Sequence, residues 1–145
     1  AVLACDIDHF KRINDTWGHE CGDKVLQLVS ATLQNHVRER DLVARFGGEE
    51  FVILLTDITL RDAEEIAQRI RRDLRSNKDT LLSGTKLTMS FGISSITDPS
   101  QLDHALREAD QLLYQAKNAG RDQVHVSGMS YPDISIESTD PSLDP

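Results

Sequence analysis

The chain switches between a strand-like period of two and a helix-like period of about 3.6 residues, and these switches predict its elements. Residues 1–8, AVLACDID, form a strand-like run that is apolar on both faces until two acids end it. Such a strand is typical of the centre of a sheet. In three later segments, mainly apolar residues recur at helical spacing, which predicts helices packed on that sheet. The repeating positions are Val25, Leu28, Val29, Thr32, Leu33 and His36; Ala63, Ile66, Ala67, Ile70 and Leu74; and Leu102, Ala105, Leu106, Ala109, Leu112, Leu113 and Ala116.

Four further strand-like runs complete the pattern: DLVARF, EFVILL, KLTMSFGIS and QVHV. The first two flank Gly47 and Gly48, and Gly-Gly between such runs is typical of a two-residue hairpin. Thr59 with Asp62 resembles a capping box at a helix start, and Gly120 suits a helix end. The order β-α-β-β-α-β-α-β predicts an α+β fold, an α/β sandwich with helices packed on a central mixed or largely antiparallel sheet.

Composition places the chain among ordinary globular domains, since 145 residues suit one domain and 39% of them are hydrophobic. The net charge of −8 argues against a nucleic-acid partner. It leaves room for a nucleotide, because a divalent metal reconciles carboxylates with phosphates. No apolar run approaches the ~20 residues that span a bilayer, and because AVLACDIDHF lacks a basic start and reaches acids within six residues, we do not expect it to be a leader. We therefore expect a cytoplasmic domain without membrane contact, with Cys5 and Cys21 as reduced thiols.

The last segment, residues 127–145, differs in composition from the rest. It holds three of the four prolines and four acids, without Lys or Arg. We predict a disordered tail there, and Ile134 with Ile136 in a short docking strand is the alternative.

The first candidate for chemistry is a carboxylate cluster. Asp6 and Asp8 end the predicted central strand, and Glu49 and Glu50 begin the second arm of the hairpin. If the hairpin lies beside that strand, the acids converge and repel one another. A hard divalent cation relieves that repulsion, and bound phosphates complete its coordination. A solvated acidic turn explains the same residues equally well.

The other candidates are polar motifs, each with a structural explanation. Asn14 and Asp23 have the donors and acceptors to read a purine edge, but turn formation and a helix's first turn explain them as well. Lys11 and the pair Lys117 and Arg121 have the charge to contact phosphates, although basic residues near a helix C-terminus also complement its dipole.

RERD, residues 38–41, is a further polar motif of the chain. Its Arg38 can form a bidentate fork for a phosphate or a guanine edge. A surface ion pair between Arg38 and Asp41, which are three residues apart, is the structural explanation.

Five motifs in this order resemble the GGDEF family of diguanylate cyclases over about residues 1–126. They are DIDHFKRINDTWGHECGD, RERD, RFGGEEF, MSFGIS and YQAKNAGR. The resemblance implies a fold similar to adenylyl cyclase and polymerase palm domains. It implies conversion of two GTP into cyclic di-GMP and two pyrophosphates with Mg²⁺ or Mn²⁺, in a homodimer whose domains each present one GTP.

By the same resemblance, Asp6, Glu49 and the Ile7 carbonyl are similar to metal ligands, and Glu50 is similar to a second-metal or base-assisting carboxylate. The implied guanine readers are Asn14 and Asp23. The implied phosphate neighbours are Phe10, Lys11, Lys117 and Arg121, with Lys11 grouped among the catalytic residues. Gly47 and Gly48 would let the backbone approach GTP closely.

The segment R-x-x-D just upstream of the signature matches the family's inhibitory site. Arg38 and Asp41 are therefore similar to residues that bind the product, with Arg69 as a secondary contact. The sequence departs from the family in reading Gly-Gly-Glu-Glu-Phe, in which the third position remains a carboxylate. The family's D-x-L-T-G-L-x-N-R segment and a covalently linked sensory domain are absent from these residues, so we expect a fragment of a longer chain.

Two other functions remain open on the sequence. A non-catalytic receptor module for cyclic di-GMP or GTP would use the same binding residues, although its signature is usually degraded and this one is intact. Another palm-type nucleotidyl cyclase would use the same carboxylates with a different base, and Asp23 favours guanine because its carboxylate accepts from guanine donors.

Overall fold

The computed structural model describes residues 1–77 and 80–131. Most of the predicted tail, including Ile134 and Ile136, lies outside the described residues. The strands are β1 (Val2–Ile7), β2 (Leu42–Arg45), β3 (Glu50–Leu54), β4 (Met89–Ser94) and β5 (Val124–Val126). The helices are α1 (Phe10–Trp17), α2 (His19–His36), α3 (Leu60–Arg75) and α4 (Leu102–Asn118), with short 3₁₀ turns at Thr80–Leu82 and Pro99–Gln101.

The described strands form one sheet in the order β2-β3-β1-β4-β5. All neighbours are antiparallel except β4 and β5, which are parallel. The prediction of an α+β fold with a mixed, largely antiparallel sheet is confirmed. β1 is the central strand, as its two apolar faces predict, and each of its six residues is buried.

The two faces of β1 belong to two cores. Leu3, Cys5 and Ile7 pack in the larger core with residues of α2 and α3. Val2 and Ala4 pack in the smaller core against Ala105, Ala109 and Leu113 of α4. The helices therefore cover both faces of the sheet, and the end of β1 emerges between them.

α4 lies close against the sheet because β4 has a glycine beneath it. A Cβ atom on Gly92 would overlap the Ala109 carbonyl oxygen and the Leu113 amide nitrogen. Both are backbone atoms, so neither can rotate aside. Gly92 therefore sets the distance between α4 and β1, and with it the reach of side chains from α4 to the end of β1.

The helical segment between β1 and β2 consists of two consecutive helices, α1 and α2. They join at Gly18, whose φ of 90° favours glycine. The polar stretch before the predicted helix is thus itself helical, and Ile13 buries its apolar side. This places Lys11 and Asn14 on a helix, where their directions are fixed.

The β2–β3 hairpin is confirmed, but its predicted two-residue turn is wrong. Four residues, 46–49, separate the strands, and neither Gly47 nor Gly48 has positive φ. The Phe46 amide donates to the Glu50 carbonyl oxygen at 2.8 Å. A longer loop closed in this way needs no left-handed residue, so the glycines are not explained by turn geometry.

Candidate active site

The carboxylates of the signature meet the end of β1 through the register of the sheet. Asp6 is directly opposite Glu50 in the antiparallel pairing of β1 with β3. One residue further, the Ile7 amide donates to the Glu49 carbonyl oxygen at 3.3 Å. The predicted convergence of Asp6, Glu49 and Glu50 is thus a direct consequence of strand pairing.

Asp6 is the most deeply buried acid of this group, with 1% of its surface exposed. Its pKa is raised to about 7, chiefly by burial; the Lys117 ammonium group opposes this rise, and the charges of Glu49 and Glu50 add to it. Burial also raises the pKa of Glu49, and the neighbouring Glu50 adds to that shift. The site therefore carries excess negative charge in a place that disfavours it.

Lys117 supplies one positive charge to this site. It extends from the last turn of α4 and donates from Nζ to Asp6 Oδ2 at 2.7 Å, and only 7% of its surface is exposed. Lys117 was predicted as a neighbour of phosphates, and the structure brings it to the proposed metal ligand. One ammonium group facing three carboxylates leaves the cluster net negative.

The Asp8 carboxylate accepts hydrogen bonds from three donors. The Thr88 and Ser90 hydroxyls each donate to it at 2.7 Å, and the Asp122 amide donates at 3.0 Å. Asp8 therefore differs from Asp6, which faces Glu49, Glu50 and Lys117. These hydrogen bonds stabilise the charge of Asp8 and connect the end of β1 to β4 and to the loop after α4.

The predicted guanine readers lie where α1 faces α2. The side chain of Asn14 lies over Gly22, and a Cβ atom there would overlap Asn14 Oδ1 and lie 3.4 Å from Phe10 Cζ. Asp23 follows on the next position of α2 and is exposed. Lys11 is also exposed, so its ammonium group is accessible to a ligand.

A cavity of about 600 Å³ opens beside Asp23, between α2 and the hairpin strands. Its other lining residues include Gln27 and Ser30 from α2 and Arg45 and Phe51 from the hairpin. Its lining combines an acid with an apolar wall.

Arg45 stabilises the signature loop. Its guanidinium donates to the Gly47 carbonyl oxygen at 3.1 Å and to the Gly48 carbonyl oxygen at 2.9 Å. A Cβ atom on Gly48 would meet nothing within 4 Å, and one on Gly47 would make only ordinary contacts with Glu50. The structure therefore leaves open space over Gly48, whereas Gly47 lies against the Glu50 side chain.

The R-x-x-D motif forms a closed arrangement at the start of β2. Arg38 donates to both carboxylate oxygens of Asp41, at 2.9 and 3.1 Å, and also to the Thr56 carbonyl oxygen. The Thr56 amide donates to Asp41 at 3.0 Å. These bonds hold the pKa of Asp41 at about 2. Arg69 is exposed on α3 and pairs with Glu65 at 3.8 Å.

Three residues that contribute to the site were missed by the sequence reasoning: Gly22, Arg45 and Asp122. Gly22 and Arg45 stand inside quoted motifs, but only the backbone shows what they contact. Asp122 follows Arg121 directly, and its partners Asp8 and Arg71 are distant in sequence. Gly22 was the one residue of the three that the sequence could have signalled, because a glycine inside a helical segment usually has a packing reason.

Within the described ranges, no group of three or more His, Cys, Asp or Glu side chains is arranged so that it could hold a metal ion. Across residues 1–77 and 80–131, we find no helix with the length and apolar character needed to cross a membrane.

Fold, signature loop and carboxylate placement together define the class of GGDEF domains. The chain belongs to this family, because the family "Diguanylate cyclase, GGDEF domain" matches residues 1–123. The response regulator PleD of Caulobacter vibrioides is 42% identical over 128 residues, which are 86% of this chain and 28% of PleD. The diguanylate cyclase DgcP of Pseudomonas aeruginosa is 43% identical over 131 residues, 88% of this chain and 19% of DgcP.

Solved structures show the same likeness. The active GGEEF domain of a diguanylate cyclase from Vibrio cholerae superimposes with a TM-score of 0.81 at 31% identity, covering 89% of this chain and 83% of that one. The GGDEF domain of DgcB from Caulobacter crescentus, in complex with c-di-GMP, gives 0.79 at 29% identity, covering 86% and 75%. This chain spans less than a third of PleD and of DgcP.

Proposed function

We propose that this chain is a diguanylate cyclase domain that condenses two GTP into cyclic di-GMP and two pyrophosphates. The observation that carries the proposal is the buried Asp6 paired opposite Glu50, with Glu49 adjacent. Excess negative charge at the end of a central strand suits a cation-bound triphosphate. The same reaction is named for several relatives of the chain.

The donor set fits a hard divalent cation, Mg²⁺ or Mn²⁺. Asp6, Glu49 and the Ile7 carbonyl would hold it, since carboxylate and carbonyl oxygens are the ligands such ions prefer. When bound, the cation neutralises the triphosphate and favours ionisation of the attacking hydroxyl. The raised pKa values of Asp6 and Glu49 support this assignment, because both charged forms gain from a nearby positive charge.

The remaining residues act on GTP itself. Lys117, which also pairs with Asp6, neutralises phosphate oxygens together with Arg121 and Lys11. Phe10 is a further neighbour of the phosphates. Asn14 and Asp23 read the guanine edge, with the base in the cavity along α2. Gly47 and Gly48 leave room for the nucleotide beside the signature loop.

The reaction needs two domains, each presenting one GTP. The 3′ hydroxyl of one GTP attacks the α-phosphorus of the other, a P–O bond forms, and pyrophosphate leaves from the opposite side. Glu50 accepts the hydroxyl proton as the assisting carboxylate. The second bond forms in the same way with the roles exchanged, so the chain acts as a homodimer.

Product inhibition is part of the proposal. The Nε and Nη2 groups of Arg38 are held by Asp41 and Thr56, so its Nη1 group is already oriented and needs little ordering to donate to a phosphate or guanine edge. Arg69 on α3 is exposed and would serve as the secondary contact. A covalently linked regulatory domain would set the distance between the two catalytic domains.

The test is incubation of a forced dimer of this domain with GTP and Mg²⁺, with products separated by chromatography. We expect cyclic di-GMP and pyrophosphate in a 1:2 ratio. Glu49→Gln keeps the side chain's shape and removes its charge, so activity should fall by at least about 100-fold. An absence of cyclic di-GMP, or equal yield from Glu49→Gln, would contradict the proposal. The discriminating control is ATP, which should give no cyclic product.

A further inference from the structure

The loop after α4 has an unusual backbone that the proposed function does not explain. Gly120, Arg121 and Asp122 have φ values of 117°, 63° and 49° in succession. Glycine adopts positive φ freely, aspartate tolerates it, and arginine does so rarely. The Arg121 amide donates to the Ala116 carbonyl oxygen at 3.0 Å. Arg121 therefore leaves α4 in a direction that the chain would not adopt without support from neighbouring residues.

Asp122 supplies that support through its backbone. Its amide donates to Asp8 Oδ2 at 3.0 Å and to Ser90 Oγ at 3.2 Å. Asp8 follows the proposed metal-binding end of β1, and Ser90 belongs to β4. The residue next to Arg121 is thus hydrogen-bonded to a buried carboxylate at the base of the active site.

The side chain of Asp122 is bound from the other direction by α3. Arg71 donates to Asp122 Oδ1 at 3.0 Å and to its carbonyl oxygen at 3.2 Å, while Arg75 donates to Oδ2. The Asp122 side chain is 19% exposed and that of Arg71 is 22% exposed. An exposed ion pair contributes little, whereas this one is partly buried, uses both carboxylate oxygens and includes the backbone.

We propose that Asp122 is a positioning residue that holds Arg121 toward the triphosphate. It locks the left-handed turn from both sides, through Asp8 at the end of β1 and through Arg71 and Arg75 on α3. The Asp8 anchor is buried and the two arginine anchors lie on α3, so the backbone direction at Arg121 is set before nucleotide binds. The inference rests on the proposed function only in taking Arg121 as a phosphate contact.

A purely structural role for the same bonds predicts a different result. If Asp122 only joined α3 to the sheet, its loss would lower stability and weaken every nucleotide alike. If Asp122 positions Arg121, the loss of Asp122 weakens the binding of a ligand in proportion to the number of phosphates on that ligand. The selectivity for triphosphate over monophosphate therefore separates the two roles.

The experiment measures the affinity of the chain for GMP and for α,β-methylene GTP with Mg²⁺ by calorimetry, well below the unfolding temperature. Asp122→Gly keeps the left-handed turn accessible and removes the side chain, and we expect a triphosphate affinity about 10-fold weaker, with GMP changed by less than about 2-fold. Asp122→Asn retains the tolerance for positive φ and should lose less. Arg71→Gln should resemble Asp122→Asn, and the exposed neighbour Arg72→Gln is the matched control that should change neither affinity.

Equal losses for GMP and for the triphosphate, or unchanged selectivity in every Asp122 and Arg71 variant, would overturn the proposal. If Asp122→Gly fails to fold, Asp122→Asn and Arg71→Gln carry the same comparison. The result is separable from the cyclase assay: a chain that makes no cyclic di-GMP but loses triphosphate selectivity in Asp122→Gly refutes the activity and retains the positioning role. A chain that makes cyclic di-GMP but shows unchanged selectivity in the variants supports the activity and refutes the positioning role.

Discussion

Substituting alanine for Gly22 tests whether Asn14 reads the base. Gly22 is in the first turns of α2, and its Cβ atom would overlap Asn14 Oδ1 and lie 3.0 Å from Asn14 Cγ. The carboxamide is the flexible partner, because the helix backbone at Gly22 is held on both sides. Gly22→Ala therefore pushes the Asn14 amide out of its place over α2 while leaving its chemistry intact.

Two opposing effects set the magnitude. Alanine in a helix is favoured over glycine by roughly 0.5–1 kcal/mol, which offsets much of the cost of moving the half-buried amide of Asn14. Loss of one amide hydrogen bond to the guanine edge costs about 1–1.5 kcal/mol, or about 5- to 12-fold in dissociation constant. We therefore expect an unfolding free energy within about 1 kcal/mol of the parent and a clearly weaker affinity for GTP.

The assay combines thermal unfolding with calorimetric titration of α,β-methylene GTP in four chains: parent, Gly22→Ala, Asn14→Ala and the double variant. In the Asn14→Ala background the overlap disappears, since the next atom, Phe10 Cζ, lies 3.4 Å away. Gly22→Ala should then add no further loss of affinity and should raise stability. An equal loss of affinity in both backgrounds would show that Gly22 does not act through Asn14 and would refute the reasoning.

Two further predictions concern the R-x-x-D motif. Arg38→Ala should weaken cyclic di-GMP binding by about 10-fold or more, as expected for loss of a charge-assisted contact, while the rate of synthesis at low product stays unchanged. Equal product affinity in calorimetry would remove the assignment. The pKa of Asp41 is about 2 in the folded chain against about 3.9 unfolded, so its contribution to stability is complete above pH ~4 and is lost as the pH falls toward 2. Asp41→Asn should therefore flatten the acid side of a stability–pH curve from urea unfolding, and a parallel curve would show that the pair with Arg38 and Thr56 contributes nothing there.

The sequence predicted those parts of the fold that depend on the local spacing of apolar residues. β1 is central because both of its faces are apolar, and the meeting of Asp6 with Glu50 followed from a hairpin placed beside it. α1 was missed because Asn14 and Asp15 favour turns locally. The burial of Ile13 in the core overrides that preference.

The turn at Gly47 and Gly48 was predicted wrongly for a related reason. Gly-Gly favours a tight turn with positive φ, but Arg45 binds both glycine carbonyls and the Phe46 amide closes a longer loop on Glu50. Those hydrogen bonds favour the longer loop, and the turn preferences of the residues do not reveal them. The two glycines therefore do not form the bend. The role of Gly48 is to leave open surface beside the acids.

Asp6 and Asp8 show why burial alone does not identify a functional acid. Both are almost fully buried and lie two residues apart, so the sequence treats them alike. Asp8 receives three hydrogen bonds from donors 80 or more positions away, and those bonds replace the water it lost on folding. Asp6 instead faces two further acids against one lysine, and burial raises its pKa to about 7. A cation would offset the negative charge that remains around Asp6 after its pairing with Lys117, whereas the Asp8 carboxylate is already stabilised by its three hydrogen bonds.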